Sequence, residues 1–276
     1  MLYIVPTPIG NLKDITLRAL EILQSCDYIL CEDMRHSLIL LKHYHIEKQL
    51  VSFHKFSEAS KEDSIIQDLQ NQKNVCLISD AGTPGIADPG NRLIKRCVEE
   101  GIEVVALPGA CAIITALSAS GLDTQHFQFC GFLPKQPSLL NKALQSILQF
   151  PATTVCYESP ERIQKVLNKI QEIDPQRQLV IGRELTKKFE EFLRGNAAHL
   201  LHQYSEKKFK GEIVLLISGA TTPLAEDWVE LSIEEHVAKK QNENHLTLAD
   251  AIKKVAEERN IPKREVYNKI HQDKKN

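Results

Sequence analysis

A chain of 276 residues suits about two globular domains and a small added module. With 42% hydrophobic and 25% charged residues it is too apolar to be disordered throughout. Its 34 lysines and arginines are balanced by 36 aspartates and glutamates, so bulk charge cannot grip nucleic acid and any such contact must be local.

Taken along the chain, Leu2 to Val5, Tyr28 to Cys31, Leu50 to Phe53, Val75 to Ser79 and Ile102 to Leu107 read as strands, each followed by a loop and a helical pattern. Thr16 opens one helix, and the stripe Leu93, Ile94, Cys97 and Val98 marks another before Gly101. This alternation predicts a mainly parallel α/β domain over residues 1–122, with ligands beyond the carboxyl ends of its strands. The uncharged stretch Val104 to Leu122 approaches membrane-spanning length, but Pro108-Gly109 breaks it. The apolar N-terminus lacks the basic start of a secretory signal, so a cytoplasmic protein without a membrane partner is expected.

From Phe127 the strands Phe127 to Phe132, Thr153 to Tyr157, Gln178 to Arg183 and Glu212 to Ser218 alternate with helices Ser138 to Gln149 and Pro160 to Glu172, predicting a second α/β domain over 123–225. Strand signals end at Ser232, and 232–276 reads as a helical tail with two short helices between Thr247 and Ile270. Thr247 and Asp250 have capping-box spacing, and Pro262 suits a first turn. From Leu246 to Asn276 the net charge is +3, which leaves a basic face once Leu248, Ile252, Val255 and Val266 pack inward.

The richest chemistry lies in SDAGTPGIADPG, Ser79 to Gly90, where glycines permit close approach and Asp80 and Asp88 offer acceptors. Asp88 as the cap of the following helix is the plainer account. VPTPIGN, Val5 to Asn11, and LPGACA, Leu107 to Ala112, are uncharged loops at other strand ends. Neither nucleotide-phosphate fingerprint occurs, which disfavours ATP and NAD. Seven cysteines form no C-x-x-C pair and the ten histidines show no ligand spacing, so no metal site is expected. CEDMRHS, YESPER and RELTKKFEEFLRG place polar residues directly after strands, with Lys187, Lys188 and Arg194 as possible phosphate contacts.

In order and spacing, VPTPIGNLKDITLRAL, CEDMR, SDAGTPGIADPG, LPGACA, GFLP, YESPERI and RELTKKFEEFLRG resemble the small-subunit ribosomal RNA methyltransferase I family of the tetrapyrrole-methylase superfamily. The resemblance spans Met1 to Ser218, and the tail is similar to that family's helix-turn-helix-like extension. It implies two α/β domains of the tetrapyrrole-methylase type with a cofactor cleft between them, a small C-terminal helical module and a homodimer. It implies S-adenosylmethionine as methyl donor, and as acceptor the 2′-hydroxyl of a cytidine in 16S rRNA of the small ribosomal subunit. Carried over by position, the cofactor residues are Pro8, Gly10, Asp80, Gly82, Thr83, Pro108, Gly109, Cys111, Ala112, Glu158 and Leu185. Met34, Gly85, Cys111 and Glu161 depart from the family's usual threonine, larger apolar residue, serine and histidine.

A ribose hydroxyl is a weak nucleophile and needs a proton acceptor. Asp33, Glu32 and Glu184 are the candidates for that role, with Arg35 and Lys187 as phosphate or transition-state contacts. Two other functions compete: methylation of a small tetrapyrrole-like molecule, and a ribosome-associated RNA-binding factor without catalysis. The sparse aromatic content, 6%, and the absence of an RNP motif weigh against the latter.

Overall fold

The computed structural model describes residues 1–54, 58–205, 210–220, 231–244, 246–259 and 261–272. The chain divides into two compact units, Met1–Gly219 and Ala220–Asn276.

The first unit begins with a five-stranded sheet of β1 (Leu2–Ile4), β2 (Tyr28–Cys31), β3 (Gln49–Ser52), β4 (Val75–Leu77) and β5 (Val104–Ala106), in the order β3-β2-β4-β1-β5. Every pairing is parallel, as the alternating sequence predicts. Parallel neighbours require crossovers, and α1 (Leu17–Ser25), α2 (Met34–His43), α3 (Glu58–Gln70) and α4 (Asn91–Glu99) supply them. Side chains alternate across the sheet: Leu30 and Leu77 enter the core on one face, and Ile29, Cys31 and Cys76 the core on the other. Thr16 caps α1 by accepting from the Ala19 N–H. Gly90 stands at the N-cap of α4 without any side-chain cap, so Asp88 does not cap that helix.

After α5 (Ala112–Ser118) comes a second five-stranded sheet: β6 (Phe127–Phe132), β7 (Thr153–Glu158), β8 (Leu179–Arg183), β9 (Glu191–Gly195) and β10 (Ile213–Ile217), ordered β6-β7-β10-β8-β9. Only the β6–β7 pairing is parallel. On one face pack α6 (Pro137–Gln149), α7 (Ile163–Ile173) and α8 (Ala197–Ser205) through Leu144, Leu167 and Leu200. On the other, Val155, Val180 and Leu216 meet Ile9, Ile113 and Leu117, which joins the two sheets through one apolar layer. Arg177 is 8% exposed and clamps three segments. It donates to the carbonyls of Leu148 (2.6 Å) and Ser218 (2.8 Å) and pairs with Asp174 (2.8 Å).

β9 lies in the run of polar residues after a predicted strand, and α8 in a stretch for which the sequence predicts no element. Arg194, a phosphate-contact candidate, instead donates to the carbonyls of Ser120 (3.0 Å) and Ala119 (2.5 Å), so its charge fastens β9 to the end of α5.

The second unit packs α9 (Ile233–Asn244), α10 (Leu248–Glu258) and α11 (Lys263–Gln272) around Val237, Ile252, Val255 and Val266. Of these helices α9 is the one without a sequence signal. The predicted Thr247 cap is present, accepting from Asp250 N–H at 3.3 Å. His236 is fully buried: Arg259 Nε donates to its Nδ1 at 3.2 Å, and its Nε2 lies 3.0 Å from Glu258. Burial lowers the proton affinity of this imidazole against the opposing charge of Glu258, and Nδ1 accepts from Arg259.

Candidate active site

The path of the Ser79 to Gly90 loop is fixed by short-range hydrogen bonds. Thr7 and Gly82 exchange both backbone hydrogen bonds, at 2.9 and 3.0 Å, and the Thr7 hydroxyl donates to the Ser79 carbonyl at 3.1 Å. The Thr83 hydroxyl donates to the Ala110 carbonyl at 3.1 Å, tying this loop to the one after β5. Gly82 has φ +82° and lies close to Ile9, a combination that a side chain would strain. Three glycine-bearing loops are thereby locked into one rim at the carboxyl ends of β1, β4 and β5.

This rim faces a cavity of about 380 Å³ whose opposite wall comes from the second sheet. Asp80, Gly82, Thr83, Cys111, Ala112, Glu158 and Leu185, all cofactor candidates by sequence, line it together. Pro8 and Gly10 line an adjoining hollow of about 330 Å³ with Lys187. Glu32, Asp33 and Arg35 line an outer groove, and Asp80 borders all three spaces. Pro108 and Gly109 line none of these spaces and are exposed. A Cβ on Gly109 would fall 2.5 Å from Pro6 Cβ, so this glycine satisfies the sterics of a tight turn. Gly10 likewise lets its loop pass against Leu185 and Lys187, where Asn11 N–H donates to Thr186 Oγ1 at 3.1 Å.

The electrostatics of the main cavity are one-sided. Asp80, Asp88, Glu158 and Glu212 line it, with no lysine, arginine or histidine among the described lining residues. Glu158 is 2% exposed. Its Oε1 accepts from Ser159 N–H at 2.7 Å and lies 3.3 Å from Arg162, whereas Oε2 has no hydrogen-bond partner among the described residues. Burial pushes this carboxyl up, against the Ser159 N–H and the Arg162 guanidinium. Asp88 and Tyr157 also line the cavity and stand outside the set of site residues assigned from sequence. The proline-glycine loop was the available signal for Asp88; Tyr157 has none beyond its place at a strand end.

The candidate bases differ from one another in partners. Asp33 caps α2 and binds Arg35 at 2.8 Å, and that guanidinium holds its carboxyl down at about 2. Burial raises Glu184, but Lys187 at 2.9 Å and the Glu212 N–H at 3.0 Å outweigh it and leave its proton affinity lowered. Glu32 is raised by burial first and by the charge of Asp80 second.

The family description Tetrapyrrole (Corrin/Porphyrin) Methylases matches residues 1–201. The chain is 42% identical to the Ribosomal RNA small subunit methyltransferase I of Halalkalibacterium halodurans, over 99% of this chain and 95% of that protein. It is also 42% identical to the one of Bacillus subtilis, over 98% and 94%. Among solved structures, cobalt precorrin-4 methyltransferase aligns with a TM-score of 0.61 at 16% identity, over 79% of this chain and 94% of that one. The uroporphyrin-III C-methyltransferase of Thermus thermophilus complexed with S-adenosylhomocysteine aligns at 0.56 and 15% identity, over 79% and 96%. Such identities speak for the fold alone, whereas the match over residues 1–201 and the full-length relatives define kinship: the chain belongs to the tetrapyrrole methylase family, in its ribosomal RNA small subunit methyltransferase I branch.

Proposed function

We propose that the protein transfers a methyl group from S-adenosylmethionine to the 2′-hydroxyl of a cytidine in 16S rRNA of the small ribosomal subunit. The observation that carries the donor assignment is the cavity lined by four carboxylates and no basic side chain among its described residues. Such a lining attracts a ligand bearing a sulfonium and an ammonium and repels a triphosphate. The unpartnered Oε2 of Glu158 adds a second point of fit, because a buried carboxylate oxygen gains when a donor group reaches it.

In this account Asp80 and Glu158 bind the polar ends of the donor, and Gly82, Thr83, Cys111 and Ala112 form the loops that close around it. Leu185, with Ile9 and Val214, supplies an apolar wall that excludes water. When bound, the donor supplies an activated methyl group; the protein must hold the acceptor oxygen in line with it. Pro8 and Gly10 shape the neighbouring hollow, and Arg35 and Lys187 are the proposed contacts for RNA phosphates. Removing the Asp80 carboxylate in Asp80→Ala is expected to weaken donor binding by about 1.5 to 3 kcal/mol, the usual worth of a charged hydrogen bond. Calorimetry of the folded variant checks this.

The helical tail is proposed as an RNA-contacting module, the third part beside 1–122 and 123–225. Lys253, Lys254, Lys263, Arg264 and Lys269 are exposed on it, and Arg259 is turned inward. Lys274 and Lys275 lie outside the described residues. Deleting Leu246 to Asn276 is expected to leave donor affinity intact while weakening subunit binding and flattening its salt dependence, since each neutralised phosphate contributes salt-sensitive affinity. A salt titration of subunit binding by truncated and full-length protein checks this. A homodimer and a cytoplasmic location complete the proposal; no helix among the described residues is long and apolar enough to cross a membrane.

The function is tested by incubating the protein with labelled S-adenosylmethionine and, separately, small subunits, free RNA and tetrapyrrole precursors. Label in small-subunit RNA supports it. Label in a tetrapyrrole alone, or in nothing, overturns it.

A further inference from the structure

Methyl transfer to a ribose hydroxyl leaves one role unfilled, the group that takes the hydroxyl proton. Asp33 and Glu184 already carry cationic partners at 2.8 and 2.9 Å, and Glu32 lines the outer groove without lining the main cavity.

Asp88 is placed differently. It lines the main cavity beside Phe132, Tyr157 and Glu158 and is partly buried. Its backbone is held on both sides: Ala87 sits at φ +65°, a region non-glycine residues seldom occupy, and Pro89 follows. The groups that face it are Glu32 from the segment after β2, Asp80 and Ser79 from its own loop, and Tyr157 from β7. Glu158, Glu212 and Cys111 line the same cavity. Burial, and then the charge of Glu32 and that of Asp80, pushes the Asp88 carboxyl up to about 6, while the Ser79 hydroxyl pulls it the other way. A carboxylate so tuned is ionised at neutral pH yet accepts a proton more readily than a free aspartate. Exposed apolar residues also line the cavity, Ile86 at 45% exposure and Phe132 at 62%, which gives an unstacked base a surface to rest on.

Resting on the donor and acceptor proposed above, we propose that Asp88 is the catalytic base of the transfer. As the bond from O2′ to the methyl carbon forms, the sulfur–methyl bond breaks with its electron pair staying on sulfur, and the hydroxyl proton passes to the Asp88 carboxylate. Release of that proton to water resets the site.

The test compares wild type, Asp88→Asn and Asp88→Glu in single-turnover methyl transfer to small subunits across pH 5 to 9, with donor affinity and subunit affinity measured alongside. Loss of a general base predicts a drop in rate on the order of 10²- to 10⁴-fold for Asp88→Asn. Subunit affinity should stay within about twofold, and donor affinity, which loses one of the four lining carboxylates, should fall far less than the rate, because the lost step occurs after binding. The wild-type rate should have an acid limb, at or below the pH of about 6 at which Asp88 takes up its proton in the free protein, because the cationic donor favours the ionised carboxylate; Asp88→Asn should lose this limb and Asp88→Glu keep it, displaced. A near-normal rate with the limb retained in Asp88→Asn, or a loss of rate matched by a loss of donor affinity, overturns the assignment. A wild-type protein that labels no RNA overturns the acceptor proposal itself, and the base with it.

Discussion

Replacing Glu158 by glutamine is expected to weaken S-adenosylmethionine binding while leaving the apo protein at least as stable. The two effects have one physical origin. In the folded protein the Glu158 carboxyl is buried and its proton affinity raised, so its ionised form is less favourable there than in the unfolded chain. A folded-state pKa above the unfolded value means that the folded protein binds the extra proton. Its stability therefore falls as pH rises from the unfolded pKa through the folded one, and the penalty is fully present above both. Glutamine removes that penalty, and its carbonyl can still accept from the Ser159 N–H. The unpartnered Oε2, however, becomes an amide that cannot accept a donor from the ligand. The lost charged hydrogen bond corresponds to about 1.5 to 3 kcal/mol, roughly tenfold to more than a hundredfold in affinity. Thermal melting and calorimetry on the same preparation read the two effects separately. A variant both destabilised and able to bind donor normally would make Glu158 a structural residue.

Arg177→Ala is expected to give the largest loss of stability, about 3 to 5 kcal/mol, because it removes a buried cation and strands its partners. The carbonyls of Leu148 and Ser218 would each lose a donor, and Asp174 its counterion. Arg177→Lys keeps the charge but cannot span three acceptors with one planar fork, so it should fall between alanine and wild type. Chemical denaturation measures both. A loss below about 1 kcal/mol for Arg177→Ala would be typical of an exposed ion pair and would contradict the clamp.

How much of this was legible in the sequence follows the physics of each element. Tyr28–Cys31, buried on both faces, reads as a continuous apolar run and has the predicted bounds, and so does the more exposed edge strand Phe127–Phe132. β9 escaped because among the described strands it pairs with β8 alone and its charges have partners on other elements, Glu191 with Arg183 of β8 and Arg194 with the end of α5. α9 escaped because it has few apolar residues and buries a histidine, whose ring nitrogen accepts from Arg259 later in the chain. In the site, glycine positions were readable because the residue type itself marks a close backbone approach, even where the neighbour comes from elsewhere in the chain, as Lys187 does for Gly10 and Pro6 for Gly109. The standing of a carboxylate was not, because it depends on side-chain geometry: Arg35, two residues on, turns back to Asp33, Lys187, three residues on, turns back to Glu184, and Glu32 comes to Asp88 from another loop. Adjacent motifs therefore mark where the cavity lies, whereas only the folded chain shows that Glu158 and Glu212 among its acids carry cationic partners.

The central claim is a methyl group on a ribose oxygen, and the nucleoside itself reports it most directly. Small subunits are incubated with the protein and S-adenosylmethionine carrying a deuterated methyl group, the RNA is digested to nucleosides, and the products are weighed and fragmented by mass spectrometry. The account predicts a mass shift in cytidine that stays with the sugar fragment when the glycosidic bond breaks. A label that travels with the base, or that appears in another nucleoside and not in cytidine, would contradict it.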